Sequence, residues 1–341
     1  MLDTQSAASF AELRRLLAEF PGPDLESATR AAEREGQLTK PTGALARLEE
    51  IAGWLATWQG KHPASVTHPR VAVFAGNHGV ADLGVSAYPK EVTQQMVLNF
   101  QAGGAAINQL CKNADADLRV YEMCLDQPTQ DFTQAPALSE EAAARAMSYG
   151  MMCVEPGIDL LCVGEMGIAN TTSASALAAA LFGGNGADWA GPGTGVHGEQ
   201  LKRKTDVIDR GLARHRAKFN DGFEILRCLG GHELAAIAGA VMAARIARVP
   251  VLLDGFASTA AASILLKSHP GALDHCIVAH CSAEPGHRRL LTEIGKKPLL
   301  DLGMRLGEGS GAALAIPIVR AAALCHSGMA TFAEAGVSNR D

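Results

Sequence analysis

Two glutamates stand out by what surrounds them: Glu165 lies in Gly164-Glu165-Met166-Gly167 and Glu308 in Gly307-Glu308-Gly309. Small neighbours let a substrate approach a carboxylate, and partial burial raises its pKa toward the range of a general base. A solvated loop glutamate is the plainer alternative. Gly193-Thr194-Gly195-Val196-His197-Gly198 spells the letters G-x-G-x-x-G, but the residues before it, Gly184-Asn185-Gly186-Ala187-Asp188-Trp189, are not strand-like, so a dinucleotide loop lacks its context. Lys202, Arg203 and Lys204 follow; beside free backbone N–H groups of a glycine turn they suit another phosphate, with solvated charges as the other reading. Gly167 to Thr172 leads from an apolar run into the alanine-rich Ser173–Leu181, where Asn170 or Thr172 caps a helix or borders an anion site at its N-terminus. His275, Cys276, His280, Cys281 and His287 crowd together, but on a strand Cys276 and His280 face one side and Cys281 the other, so no metal is expected.

The elements that position these residues can be read from the apolar runs. Val71–Phe74, Leu118–Met123, Leu160–Val163, Val251–Leu253, Ile277–Ala279 and Leu299–Leu302 are continuous rather than alternating, as strands covered on both faces are, and helical stretches separate several of them. This predicts an α/β fold with a doubly wound, mostly parallel, Rossmann-like sheet. Ligands of such sheets bind outside the carboxyl ends of the strands. Gly76-Asn77-His78-Gly79, Gly164–Gly167, Asp254-Gly255, His280–Glu284 and Gly307–Gly309 all fall at or near such ends. The first seventy residues read as helical, with Thr42 capping a helix through Leu45, Leu48, Ile51, Leu55 and Trp58 that ends at Gly60.

Composition narrows the class. A chain of 341 residues with 48% apolar and 19% charged residues is globular, and its length suits one large domain with an appendage, or two domains. Glycine is abundant (36 residues) and aromatics scarce (5%), which suits close helix–sheet packing and turns that bring backbone to a ligand. A net charge of −6 without a basic run argues against nucleic acid. Met1–Leu17 carries Asp3, Glu12, Arg14 and Arg15 and no apolar core, and the uncharged run Ile168–Ala187 is too polar for a bilayer, so neither a signal peptide nor a membrane is expected. The eight cysteines show no C-x-x-C pair, and a cytoplasmic protein with reduced thiols is the expectation.

Seven stretches in order resemble one family: Lys40-Pro-Thr-Gly-Ala-Leu45, Phe74-Ala-Gly-Asn-His-Gly-Val80, Gly84-Val-Ser-Ala-Tyr-Pro89, Gly164-Glu-Met-Gly-Ile-Ala-Asn-Thr-Thr172, Pro250-Val-Leu-Leu-Asp-Gly-Phe256, His280-Cys-Ser-Ala-Glu284 and Arg305-Leu-Gly-Glu-Gly-Ser-Gly-Ala312. The set is similar to the nicotinate-nucleotide:dimethylbenzimidazole phosphoribosyltransferases, which make the lower-ligand nucleotide of cobalamin. The resemblance implies a homodimer with a large α/β domain, 70–311, and a smaller helical domain from 1–69 and about 312–341. It implies Glu308 as catalytic base, Glu165 beside the ribosyl group, and an acceptor pocket around Ser86, Tyr88, Gln94 and Leu306. The nucleotide and its phosphate would lie at Gly167, Asn170, Thr172, Gly193, Gly195, Lys204 and Ser282. The substrates would be nicotinate mononucleotide and dimethylbenzimidazole, with no cofactor. Two positions depart from the family pattern: Asn77 stands where Asp is frequent, and Ala169 where Gly is frequent. An oxidoreductase using the Gly193 loop and a non-catalytic nucleotide-binding protein are the alternative readings.

Overall fold

The computed structural model describes residues 9–338. The start of the Met1–Leu17 segment and the last three residues of the C-terminal segment lie outside them. Five strands, β1 (Pro69–Ala75), β2 (Asp117–Glu122), β3 (Leu160–Met166), β4 (Val251–Leu253) and β5 (Cys276–Val278), form one sheet in the order β2-β1-β3-β4-β5. Every pairing is parallel, with Val71 opposite both Leu118 and Cys162, and Leu252 opposite Cys162 and Ile277. This is a doubly wound order, and its switch point lies between β1 and β3.

Because strand side chains alternate, the sheet feeds two cores. Val71, Val73, Leu160, Cys162 and Leu252 pack with Ile51, Leu55, Ile107, Ile316 and Val319 of the helices Arg47–Gln59, Ala106–Ala114 and Ser310–Gly328. Ala72, Phe74, Leu161, Val163 and Leu253 pack on the other face with the helices Glu140–Met151, Asn170–Phe182, His232–Ile246 and Phe256–Ser263. The small-residue content is used here. A Cβ built on Gly239 would stand 1.9 Å from the Met147 carbonyl oxygen, so the helices Glu140–Met151 and His232–Ile246 touch through backbone.

The terminal segments meet at an antiparallel bridge between Leu38 and Thr331, reinforced by the Arg34 guanidinium donating to the carbonyls of His326, Ser327 and Met329. The half-buried Lys40 lies there between Glu35 and Glu49, at 2.8 and 2.7 Å. The first helix, Phe10–Ala18, instead packs Phe10 against Phe223, and Arg14 pairs with Asp221. The Ser310–Gly328 helix has the length and apolarity to cross a bilayer, yet half of it is buried against the helices and strands around it, as in a core helix.

Three sequence expectations are corrected. The strand read at Leu118–Met123 is β2, an edge strand that exposes Asp117 and Arg119 and is not covered on both faces. Leu299–Leu302 forms no strand; one parallel bridge, His280 to Leu300, sets it beside the end of β5. Thr42 caps nothing: residues 42–46 are turns, and the helix starts at Arg47 after Ala46, whose φ is 44°, although Gly60 does end it in the left-handed conformation.

Candidate active site

At the switch point the end of β3 receives a loop from far along the chain. Gly164 has no side chain because none fits: a Cβ there would lie 2.1 Å from the Gly309 nitrogen. Gly307, Glu308 and Gly309 are all left-handed, at φ 80°, 61° and 75°. Glycine adopts that conformation freely, but Glu308 does so at a cost of about 1 kcal/mol, a strain that clusters at functional positions. The Glu308 N–H donates to the Glu165 carbonyl at 3.0 Å, which fixes the two glutamates relative to one another.

Asp254, directly after β4 and fully buried, holds the far side of the same loop. Its carboxylate accepts from Gly309 N at 3.1 Å and Ala312 N at 3.0 Å, replacing the side-chain cap that the Ser310–Gly328 helix lacks. Burial raises the Asp254 pKa, opposed by His280, 3.6 Å away, and by the amides it accepts from. Glu308 is 5% exposed, and its pKa is raised to about 7, first by burial and then by the Asp254 charge. Glu165 is half-buried and lies well above the usual carboxylate range, through burial and then Asp254, with Asn170 opposing.

Asn170 donates from Nδ2 to the Glu165 carboxylate. The expectation that Asn170 or Thr172 caps the helix is therefore corrected. The N-cap position is Ala169, left-handed at φ 74°, with no side-chain cap; Asn170 turns to Glu165, and the buried Thr172 hydroxyl has no partner. Gly167 presses on β1's end, where its Cβ would stand 2.6 Å from the Gly76 carbonyl. Behind this contact His78 shares 2.5 Å with Glu233 and 3.0 Å with Ser173 Oγ, all buried. Asn77 donates to the Leu125 carbonyl at 2.9 Å, tying β1's end to the segment beyond β2.

The glycine loop is preceded by a one-turn helix, Gly186–Trp189, and not by a strand, so the dinucleotide reading fails structurally as well. Three of its amides are already bonded: Gly193 N donates to Glu284 Oε1 at 2.8 Å, and Gly195 N and Val196 N donate to the Pro192 carbonyl at 2.8 and 2.9 Å. Of the three basic residues, Lys202 and Arg203 are exposed while Lys204 is 1% exposed. Lys204 Nζ donates to Thr171 Oγ1 at 2.8 Å and to the Gly191 carbonyl at 2.9 Å; burial lowers its pKa to about 8. Ser282 lies alongside, its hydroxyl accepting from Glu284 N at 3.2 Å and its N–H donating to His287 Nδ1 at 2.8 Å.

Ser86 reaches this loop, its hydroxyl 2.9 Å from Thr194 Oγ1. Tyr88, Gln94 and Leu306 are exposed; Tyr88 N donates to Ser86 Oγ at 3.4 Å, and Gln94 is next to Thr93, whose hydroxyl accepts from Ile168 N at 3.1 Å. The structure thus joins Glu308 to Glu165, Glu165 to Asn170, Ser86 to the Gly193–Gly195 loop, and that loop to Lys204 and Ser282. Asp254, Glu284, Thr194 and Arg305 were missed as site residues. Asp254 and Glu284 had a signal, since both fall in segments that follow a strand.

Fold and site together define a doubly wound α/β enzyme, with acids of raised pKa at the switch point and a glycine loop backed by a buried lysine. The chain belongs to the phosphoribosyltransferase family whose model matches residues 20–337. It is 58% identical over 331 residues (97% of this chain, 98% of the relative) to a nicotinate-nucleotide–dimethylbenzimidazole phosphoribosyltransferase of Rhizobium rhizogenes. It is 57% identical over 335 residues (98% and 99%) to the protein of that name from Sinorhizobium medicae. A crystal structure of the nicotinate-nucleotide–dimethylbenzimidazole phosphoribosyltransferase of Thermus thermophilus superposes with a TM-score of 0.85 at 42% identity, covering 92% of this chain and 99% of that one.

Proposed function

We propose that the chain transfers the phosphoribosyl group of nicotinate mononucleotide to dimethylbenzimidazole, giving α-ribazole phosphate and nicotinate, with inversion at the anomeric carbon. The donor ring nitrogen is a pyridinium and leaves as a neutral base, so its departure needs no acid. As one nitrogen of the acceptor attacks, the N–H of the other becomes acidic, and a carboxylate titrating near neutrality can take that proton. Glu308 is assigned this role, and its placement, buried in the left-handed loop that its N–H ties to Glu165 at the switch point, is the observation that carries the reading, with burial raising its pKa to about 7. Glu165 is assigned to stabilise positive charge developing at the sugar.

Lys204, with Thr172, Gly167 and the Gly193–Gly195 loop, is assigned to the phosphate, and Ser282 to the nucleotide beside it. Because the Gly193 and Gly195 amides are already bonded, the phosphate's principal partner in this reading is the Lys204 ammonium. Their use is positional, holding the anomeric carbon between departing and arriving nitrogens. Ser86, Tyr88, Gln94 and Leu306 are assigned to the acceptor. The same reading takes the enzyme to be a cytoplasmic homodimer whose smaller domain comes from the two terminal segments. The deciding experiment is incubation with both substrates followed by chromatography for nicotinate and α-ribazole phosphate. Absence of both products overturns the proposal, and sedimentation velocity tests the dimer.

A further inference from the structure

Residues 191–195 are held from four directions. Lys204 donates to the Gly191 carbonyl and Glu284 accepts from Gly193 N. Arg305, in the loop that carries Glu308, donates to the Gly193 carbonyl at 2.7 Å. The fourth tie is a side chain: Thr194 Oγ1 lies 2.9 Å from Ser86 Oγ and accepts from Ala87 N at 2.9 Å. Ser86 and Thr194 are half-buried and Ala87 is exposed, so this tie lies at the edge of the cleft and not in a core. The segment before Ser86 also has a close approach independent of Thr194. Arg203 Nη1 lies against Gly84, 2.7 Å from where a Cβ would be.

We propose that Thr194 is a positioning residue that couples the acceptor subsite to the phosphate loop. Its backbone belongs to the loop assigned to the donor, its hydroxyl fixes the segment assigned to the acceptor, and Arg305 carries the same loop's position to the segment of Glu308. A phosphate that tightens the hold on residues 191–195 thereby tightens the hold on Ser86, so donor and acceptor each bind more tightly in the other's presence. Thermodynamic reciprocity requires the two enhancements to be equal. The inference rests on the site roles proposed above and adds a cause for joint occupancy.

The test uses ribose 5-phosphate, which presents the phosphate without a leaving group, and measures dimethylbenzimidazole binding by calorimetry with and without it. The wild type is expected to bind the acceptor about tenfold more tightly with the probe present, the worth of about one hydrogen bond's ordering. T194V, which keeps the shape and loses the hydroxyl, should abolish the enhancement and raise the acceptor KM about tenfold while leaving the donor Kd within twofold; T194S should restore both. An unchanged enhancement in T194V, or equal loss of donor and acceptor affinity that serine does not rescue, overturns the coupling. If T194V does not fold, the wild type still decides, because no enhancement there refutes it. A wild type that makes no α-ribazole phosphate defeats the functional reading, whereas one that makes it without coupling defeats only this inference.

Discussion

Asp254→Asn separates the geometry of the base loop from its electrostatics. The carboxylate accepts two amides, Gly309 N and Ala312 N, with no exposure to water. Asparagine keeps one acceptor oxygen and sets an NH2 against the other amide. One buried N–H loses its partner, at a cost of about 1–3 kcal/mol. At about 2.1 cal/mol/K per residue, 341 residues give about 1.4 °C per kcal/mol, so Tm falls by roughly 1–4 °C. The second effect has the opposite sense for ionisation. Asp254 is the second cause of the raised Glu308 pKa, so removing its charge lowers that pKa from about 7, though burial, the first cause, keeps it above the ordinary value. A fall of about one unit would increase the ionised fraction at pH 6 from about one-tenth to about one-half. The assay is nicotinate release at saturating donor, with kcat/KM for the acceptor followed from pH 5 to 8. The acid limb should move to lower pH in D254N even where the absolute rate is reduced. A limb that stays in place or moves upward, in a variant whose Tm has dropped, would refute the electrostatic coupling of these two acids.

Glu308→Ala should reduce turnover at least ~10²-fold while nicotinate mononucleotide still binds, and near-normal turnover rejects the base. Because the Glu308 pKa in the fold exceeds the ordinary 4.5, the folded state holds the proton longer; its stability contribution is present at low pH and is lost as pH rises from 4.5 to about 7. That loss is about 3 kcal/mol, and the corresponding fall in Tm across this window should flatten in E308Q. Lys204→Ala should weaken the donor more than the acceptor; in the wild type, donor affinity should fall about tenfold per unit above pH 8, as the ammonium of this low-pKa lysine is lost, and K204A should remove that slope. Ala169→Gly relieves a left-handed alanine at φ 74°, worth about 1–2 kcal/mol less about 0.4–1 for glycine's freedom in the unfolded chain, and should raise Tm by about 1 °C, whereas a clearly lower Tm would show that the backbone there is not strained.

How much of this was legible in the sequence depended on the range of the interaction. Buried parallel strands announce themselves as runs, which is why β1, β3, β4 and β5 were placed, while β2 was misjudged because Asp117-Leu118-Arg119 alternates as an edge strand does. The two glutamates were legible because close approach had already selected glycines around them: Gly164 faces Gly309, and a Cβ on Gly307 would stand 2.6 Å from Glu165 Oε1. Asp254 and Glu284 showed only their place after a strand, and Arg305 not even that, since their partners lie 55, 91 and 112 positions away. Asn170 was misread for a related reason. Asparagine before a helix is ordinarily a cap, but the left-handed Ala169 rotates it out of the capping position and toward an acid five residues earlier.

The crowding of acids has a physical sense once the charges of the proposed reaction are followed. Glu165, Asp254 and Glu308 are each raised by burial, and Asp254 raises the other two, so the empty site disfavours holding all three as anions. A cation brought among them reverses the balance, because a positive charge nearby favours the ionised form of each acid. The donor brings one, as a pyridinium. At the transition state that charge lies on the sugar, and after attack it lies on the acceptor ring, whose N–H is then acidic. The same field that holds the Glu308 pKa near neutrality therefore attracts the charge along its path, and one proton passing to Glu308 at the end neutralises acceptor and base together. A single buried glutamate could accept that proton, but it would not provide the negative surroundings that stabilise the cation before the proton is lost.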